Sequence, residues 1–232
     1  MKEIRRLAII PARGNSKRIK KKNIKNFYKK PIIYYSINNA KKSKLFTKIH
    51  VSSEDEEILK KVSSYGIKTD FKRPRHLSKD STKLANVINY VVKEYQKMNF
   101  LYDEVWLIYP CAPLTKPEDL LKAAKTFSQS SKKYPLMSFK EFDAPIEWAF
   151  KKKNSIFTPV NKKKTLVNSQ NLNKNYYESA SFVVYAAKHT LKNINFPKYY
   201  GLILPKYRAV DIDTNEDWKL AEMFFKKKTN NE

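Results

Sequence analysis

Residues 9–23 connect an apolar strand to a loop that is rich in phosphate-binding side chains. Gly14 permits close approach of the backbone to a ligand, and Asn15 and Ser16 offer neutral hydrogen bonds. Four side chains supply positive charge where a polyphosphate would lie: Arg13, Lys17, Arg18 and Lys22. The segment therefore predicts a site for a nucleoside triphosphate.

The spacing of this loop excludes two common nucleotide-binding motifs. A Walker loop has two glycines separated by four residues and followed by Lys and Ser or Thr, whereas the segment contains Gly14 alone. The three glycines of a dinucleotide fingerprint are also missing. The alternative interpretation is a solvated basic turn in a lysine-rich protein.

A second candidate site is the acidic segment 210–218, near the end of the chain. Asp211 and Asp213 are separated by one residue, so in an extended segment both carboxylates lie on the same side and offer hard oxygen ligands for one Mg²⁺. Such a cation would attract a triphosphate and offset charge on the reacting phosphoryl group. The alternative is that Asp213 or Asn215 caps the following helix.

Short apolar runs alternate with amphipathic stretches along the chain, which predicts an α/β fold with a mainly parallel sheet flanked by helices. The predicted strands are 7–10, 48–52, 67–71, 104–109, 136–139, 181–185 and 202–204. The predicted helices are 31–42, 55–65, 84–98, 117–128 and 215–225. Parallel sheets bind ligands at the carboxyl ends of their strands, and the basic loop follows the first strand.

Length and composition favour one domain over residues 1–232, since the chain is too short for two full domains and shows no linker. Residues 143–178 lack clean periodicity, which indicates an arm that projects from the sheet. The single cysteine excludes an intramolecular disulfide and a multi-cysteine zinc site. No apolar run has the length of a signal-peptide core or a membrane span, so we expect a cytoplasmic protein without membrane contact.

The formal net charge of +26 raises nucleic-acid binding as an alternative function. Only seven of the 48 basic residues are arginine, although base readout favours arginine, and the lysines are scattered among many asparagines. Compositional bias explains this pattern better than a nucleic-acid footprint does. We therefore expect no nucleic-acid partner.

The motifs resemble those of the CMP-sugar synthetases, the cytidylyltransferases that activate sialic acid and related nonulosonic acids. Their opening motif is close to Pro-Ala-Arg-x-x-Ser-Lys-x-x-x-x-Lys-Asn, and it matches this chain at Arg13, Ser16, Lys17, Lys22 and Asn23. The acidic turn matches their closing Asp-Ile-Asp-Thr-x-x-Asp. The resemblance covers nearly the whole chain, from residue 9 to residue 220.

A third match, over residues 71–82, resembles the family's Arg-Pro-x-x-Leu-x-x-Asp-x-Thr segment near the base and ribose. Arg73 is the best candidate there for a base or phosphate ligand. Taken alone, Arg73 and Asp80 would form a surface ion pair of under about 1 kcal/mol. The segment Val51-Ser52-Ser53-Glu54-Asp55 is similar to a further family motif, in which Ser52 either contacts nucleotide or caps the next helix.

The resemblance implies a Rossmann-like homodimer that transfers CMP from CTP to the anomeric hydroxyl of an acidic nine-carbon sugar, with Mg²⁺ as cofactor. The implied catalytic residues are Arg13, Lys22 and Asp211, and the implied metal ligands are Asp211 and Asp213. The implied substrate-binding residues are Ala12, Arg13, Asn15, Ser16, Lys17, Asn23, Arg73, Asp80 and Thr82. The arm, residues 143–178, would reach over the partner's site.

The loop after the central strand reads Tyr109-Pro110-Cys111-Ala112-Pro113-Leu114-Thr115, where the sialate enzymes typically carry an amide, a hydroxyl and a guanidinium. This difference, together with residues 176–180, favours the pseudaminic-acid branch of the family. Two further alternatives are a synthetase for the eight-carbon acid Kdo, whose opening loop usually carries Ser-x-Arg-Leu-Pro, and a catalytically silent scaffold with swapped arms.

Overall fold

The computed structural model describes residues 3–191, 194 and 196–229. Its strands are β1 (Arg6–Pro11), β2 (Asn26–Phe27), β3 (Lys30–Pro31), β4 (Lys48–Ser52), β5 (Glu104–Ile108), β6 (Leu136–Glu141), β7 (Phe150–Lys153), β8 (Ile156–Pro159), β9 (Tyr176–Ala186) and β10 (Tyr200–Ile203). Its helices are α1 (Ile32–Ser43), α2 (Glu56–Ser63), α3 (Leu84–Lys97), α4 (Pro117–Ser128), α5 (Ala187–Thr190) and α6 (Asn215–Thr229).

The main sheet has six strands in the order β10-β6-β9-β5-β1-β4. Strand β1 pairs in parallel with both β4 and β5, and β10 pairs in parallel with β6. Strand β9 is antiparallel to both of its neighbours, β5 and β6. The prediction of a mainly parallel α/β sheet is therefore confirmed, with one reversed strand inside it.

The alternation of side chains along β1 explains why helices cover both faces of the sheet. Ala8 and Ile10 belong to one buried cluster, together with Ile33 and Ile37 of α1. Leu7 and Ile9 point to the opposite face, into a second cluster with Ile88, Val91 and Tyr95 of α3. Every predicted helix is present, and no helix of the described chain is both long and apolar enough to cross a membrane.

The predicted strand at residues 67–71 does not form, and this prediction is wrong. The segment lies beside β4, the last strand of the sheet, and it is held by side chains instead of a backbone ladder. Asp70 forms an ion pair with Lys48 at 2.5 Å and accepts a hydrogen bond of 2.6 Å from Tyr95. Phe71 stacks on His50 with ring centroids 4.6 Å apart.

The segment 143–178 contains more regular structure than its sequence pattern indicates. Strands β7 and β8 form an antiparallel hairpin whose residues are almost all exposed. The last three residues of the predicted arm, 176–178, instead belong to β9 and pair with β6. The part of the predicted arm that lies outside the six-stranded sheet therefore ends at residue 175.

His50 of β4 is a buried histidine whose pKa is strongly lowered. Its Nδ1 lies 3.1 Å from the Tyr95 hydroxyl, which in turn donates to Asp70, so we assign Nδ1 as the protonated ring nitrogen. The buried Nε2 has no hydrogen-bond partner. Burial lowers the pKa of His50 from its ordinary value to about 3, because a charged imidazole would lose its hydration there.

The lowered pKa of His50 predicts that this residue makes the protein less stable in acid. Between about pH 6.5 and 3 the unfolded chain binds a proton that the folded chain does not, so stability falls as the pH falls, by up to about 1.4 kcal/mol per pH unit. We expect His50→Asn, which keeps a donor near the Nδ1 position without titrating, to flatten this part of the curve. Urea unfolding of both proteins from pH 4 to 7 measures the difference.

The matched control is His76→Asn, because His76 is exposed. That variant should keep the pH dependence of the wild type. Parallel stability curves for wild type and His50→Asn would contradict the assignment of the acid sensitivity to His50.

Candidate active site

A cleft of about 590 Å³ opens at the carboxyl ends of β1 and β5. Most of the residues predicted from the sequence line it: Arg13, Ser16, Lys17, Lys22, Asn23, Arg73, Asp80, Thr82, Asp211 and Asp213. The three predicted motifs, which are far apart in the sequence, thus meet around one cavity. Ala12 and Asn15 are not among the lining residues.

Ala12 and Asn15 differ in their burial. Ala12 is completely buried in the apolar core, and its backbone N–H donates to the Ser52 carbonyl at 2.9 Å. Asn15 is exposed at the tip of the loop. Their contacts with a nucleotide stay predictions from the resemblance.

The basic loop after β1, residues 12–22, is held by protein groups on both sides. The Gly14 N–H donates to Glu54 Oε1 at 2.9 Å, and Asn23 Nδ2 donates to the Arg13 carbonyl at 2.8 Å. A Cβ on Gly14 would lie 2.2 Å from Asp55 Oδ2, so Gly14 is required by the close approach of Asp55. The close approach at Gly14 is therefore made by a protein side chain, whereas the sequence predicts the approach of a ligand.

Arg73 lies at one end of the cleft and is fixed by the end of β4. Its Nε donates to Ser52 Oγ at 3.0 Å and its Nη2 to the Ser52 carbonyl at 2.5 Å. Burial lowers the pKa of Arg73 to about 10, against the opposing effect of Glu54, so the guanidinium stays charged at neutral pH. Three apolar side chains line the cleft near this segment: Leu77, Leu84 and Val87.

Ser52 does not cap α2, so that alternative is wrong. The capping residue is Asp55, whose side chain accepts a hydrogen bond of 3.0 Å from the Ile58 N–H. Ser52 is completely buried and serves as an acceptor for Arg73. Ser52 therefore positions the Arg73 side chain, which lines the cleft, without lining the cleft itself.

Asp80 pairs with the basic loop and not with Arg73. Arg13 Nη1 lies 2.6 Å from one carboxylate oxygen of Asp80, and Lys17 Nζ lies 2.6 Å from the other. The hydrogen bond from Lys17 and the charge of Arg13 hold the pKa of Asp80 below its usual range. A triphosphate bound in the cleft would compete with Asp80 for these two cations.

Thr214, at the end of the acidic turn (residues 211–214), caps helix α6. The sequence offers Asp213 or Asn215 as the cap, and both of these alternatives are wrong. Thr214 Oγ1 accepts from the Asp217 N–H at 3.2 Å, and Asp217 Oδ2 accepts from the Thr214 N–H at 2.7 Å. This reciprocal pair forms a capping box at the start of α6. Asp211 and Asp213 are consequently not needed as helix caps, and both line the cleft.

The basic loop contacts the acidic turn directly. Lys22 Nζ donates to the Ile212 carbonyl at 2.5 Å and lies 3.3 Å from Asp213 Oδ1. Arg18 Nη2 lies 2.8 Å from the same oxygen. Partial burial raises the pKa of Asp211, and the negative charge of Asp213 raises it further, although the Asp211 side chain keeps contact with solvent.

The donor set fits Mg²⁺ that is shared with a substrate. Within the described ranges, no group of three or more His, Cys, Asp or Glu side chains could hold a metal ion without other ligands. Mg²⁺ commonly takes one or two carboxylates, with phosphate oxygens and water completing its octahedron. Asp211 and Asp213 supply those two carboxylates beside the cations that would bind the phosphates.

The end of the cleft opposite Arg73 is lined by residues that are not among the predicted site residues. Tyr109, Cys111 and Ala180 line it beside Asp211. Burial raises the pKa of the Cys111 thiol to about 12, so the thiol stays protonated at neutral pH. Two sequence signals point to these residues: the loop after the central strand contains Tyr109 and Cys111, and the segment 176–180 ends at Ala180.

Comparisons with known proteins identify the family of the chain. A sequence model described as cytidylyltransferase matches residues 7–226. The chain is 36% identical over 227 residues to pseudaminic acid cytidylyltransferase of Campylobacter jejuni subsp. jejuni serotype O:2, which covers 96% of this chain and 97% of that protein. It is 28% identical over 227 residues to CMP-N,N'-diacetyllegionaminic acid synthase of Legionella pneumophila subsp. pneumophila, and the match covers 94% of this chain and 95% of that protein.

A solved structure with a similar fold is also found. A CMP:2-keto-3-deoxy-manno-octonic acid synthetase complexed with CTP superposes with a TM-score of 0.69, covering 97% of this chain and 99% of that one, at 12% identity. At this identity the likeness concerns the fold alone. The family match spans nearly the whole chain and includes the basic loop and the acidic turn, and the chain is therefore a member of the cytidylyltransferase family.

Proposed function

We propose that this protein transfers CMP from CTP to the anomeric hydroxyl of a nonulosonic acid, with pseudaminic acid as its preferred acceptor, and releases pyrophosphate. The observation that carries the proposal is the contact between the basic loop and the acidic turn at one cleft. A triphosphate needs cations for its oxygens, and Mg²⁺ needs carboxylates, so the two sets of groups suit one metal-bound nucleotide.

Positioning and charge account for most of the catalysis in this proposal. Arg13 and Lys17 bind the outer phosphates after exchanging Asp80 for phosphate oxygens. Lys22 holds the phosphate at the reacting centre, since its Nζ already lies at the acidic turn. Mg²⁺ held by Asp211 and Asp213 would supply positive charge that offsets the charge on the reacting phosphate.

The preferred acceptor follows from the relatives and from the central loop. The Campylobacter relative with 36% identity is named for pseudaminic acid, and the Legionella relative with 28% identity is named for a legionaminic acid. The polar groups that the sialate enzymes typically carry after the central strand are replaced here by Tyr109, Cys111 and Thr115. The likeness to the octonic acid synthetase is limited to the fold and does not favour Kdo as acceptor.

We further propose that the protein is a homodimer and that the arm forms the interface between its two subunits. We also propose that it works in the cytoplasm. Both strands of the β7-β8 hairpin are exposed, and a two-stranded hairpin is marginally stable alone. Large apolar side chains of the arm face solvent: Ile146, Trp148, Phe150, Ile156, Phe157, Val160 and Leu166. A second copy of the chain would bury these groups.

The proposed reaction is tested by pyrophosphate release from CTP with pseudaminic, legionaminic, sialic and Kdo acids. We expect turnover with pseudaminic acid to exceed that with the other acids, and CTP to exceed ATP, GTP and UTP by orders of magnitude, since a mismatch at a base edge leaves polar groups unpaired. Equal release from ATP and CTP, or turnover with Kdo alone, would refute the proposal.

Lys22 provides a second test, in which the lysine-rich loop supplies its own control. Lys22→Ala should lower kcat by about 10²- to 10³-fold, because it removes a charge that stabilises the transition state. Lys20→Ala removes one charge from the same loop, but Lys20 is exposed and does not line the cleft, so its kcat should change by less than about twofold. Equal, small effects at saturating CTP would mean that the loop is a solvated basic turn.

The arm is tested by Phe157→Asp, which places a charge on its exposed apolar surface. Light scattering after size exclusion should give twice the chain mass of 27.4 kDa for the wild type and a single chain mass for the variant. Leu101→Asp, at a comparably exposed apolar position outside the arm, should stay dimeric. A wild type that is monomeric at tens of micromolar would contradict the dimer.

A further inference from the structure

The pairing of β9 with β6 is interrupted where β9 passes the cleft. Phe139 pairs with Glu178 and Met137 pairs with Val183, so four residues of β9, 179–182, stand opposite Ser138 alone. A bulge of this size leaves backbone groups without their ladder partners. Such groups in a buried strand need other hydrogen-bond partners.

The Ser138 side chain supplies those partners. Its Oγ accepts from the Phe182 N–H at 3.1 Å and donates to the Phe182 carbonyl at 3.0 Å. Ser179 Oγ donates to the same Ser138 oxygen at 2.8 Å, and Ser181 Oγ donates to the Ser179 carbonyl at 3.4 Å. All three serines are buried, so this hydroxyl cluster fixes the bulge from within the sheet.

The fixed bulge gives Ala180 an unusual backbone conformation at the cleft. Its φ of 49° lies in the left-handed region, which L-residues with a Cβ rarely adopt. Ala180 lines the cleft beside Tyr109 and Asp211. At the start of the bulge, Glu178 accepts a hydrogen bond of 2.5 Å from the Tyr109 hydroxyl, which ties the bulge to the loop after β5.

The strand order places this bulge away from the proposed nucleotide end. Arg73 is bound to the end of β4, the basic loop follows β1, and β9 lies beyond β5 on the other side. Strands β4 and β9 are three strand spacings apart, or about 14 Å. A nucleotide base near Arg73 and a triphosphate at the β1 loop leave the Ala180 end for the acceptor.

We propose that Ala180 is a specificity-determining residue for the acceptor sugar and that Ser138 is the positioning residue that holds it there. The inference rests on the proposed function, since it requires a nonulosonic acid beside Asp211. The methyl group of Ala180 limits the room for the part of the acceptor that lies next to the reacting hydroxyl. Ser138 acts only through the bulge, because it is completely buried and does not line the cleft.

Ser138→Ala tests the positioning role, because it should change the KM for the acceptor and not the KM for CTP. Loss of the hydroxyl leaves the Phe182 N–H and carbonyl unpaired, which loosens the bulge. We expect the KM for the acceptor to rise at least about fivefold while the KM for CTP changes by less than about twofold, because misplacement of a contact surface weakens only the substrate that uses it. Circular dichroism and a thermal melt confirm that the variant is folded.

The matched control is Ser43→Ala. Ser43 is also buried and its Oγ donates to the Ala40 carbonyl at 2.7 Å, but it lies at the end of α1 and does not line the cleft. It should lower the melting temperature without changing either KM. If both serine variants change the two KM values equally, the bulge is only a structural feature and the positioning role is refuted.

Ala180→Gly tests specificity in a variant that should fold, because glycine adopts a positive φ without strain. We expect the ratio of kcat/KM between pseudaminic and legionaminic acids to shift by at least about threefold, since one methyl group in a pocket changes discrimination by such factors. An unchanged ratio would overturn the role of Ala180. If the wild type itself releases no pyrophosphate with any of these acids, the proposed function fails and this inference fails with it.

Discussion

The contact between Lys22 and the acidic turn is the interaction on which the rest of the site depends. It joins residues that are 190 positions apart in the sequence, and it brings the cations proposed to bind a triphosphate beside the carboxylates proposed to bind a metal. Each set of charges would repel itself if it stood alone. Together they form an almost neutral cluster, in which Arg18 and Lys22 offset Asp211 and Asp213 until a substrate with its own charges enters.

The sheet supplies the rigid frame for this contact. Strand β1 is buried between two parallel neighbours, and the loop that follows it is fixed by Glu54 and Asn23 from both sides. The acidic turn is fixed separately, by the capping box at the start of α6. Two rigid elements thus meet at a cleft whose remaining walls come from residues 73–87, from the loop after β5 and from β9. The cleft lies at the carboxyl ends of parallel strands, which is where α/β sheets bind ligands.

Much of this could be predicted from the sequence, because the apolar periodicity fixes the helices and most strands and because the proposed phosphate and metal ligands occur in dense local motifs. Pairings between distant side chains could not be predicted: Asp80 with Arg13 and Lys17, or Ser52 with Arg73. Residues 67–71 resemble a strand in composition, but side-chain contacts of Asp70 and Phe71 hold the segment instead of a backbone ladder. The bulge at Ala180 depends on strand register, which no local pattern reveals.

The central claim is that the acidic turn and the basic loop hold one metal-bound CTP, and calorimetric titration with CTP tests it most directly. The wild type should bind CTP at least about tenfold more tightly with Mg²⁺ than with EDTA. Asp211→Asn should lose most of this gain while its binding in EDTA is kept or slightly strengthened, because the variant lacks one metal ligand and one negative charge. Equal CTP affinity of the wild type with and without Mg²⁺ would contradict the account.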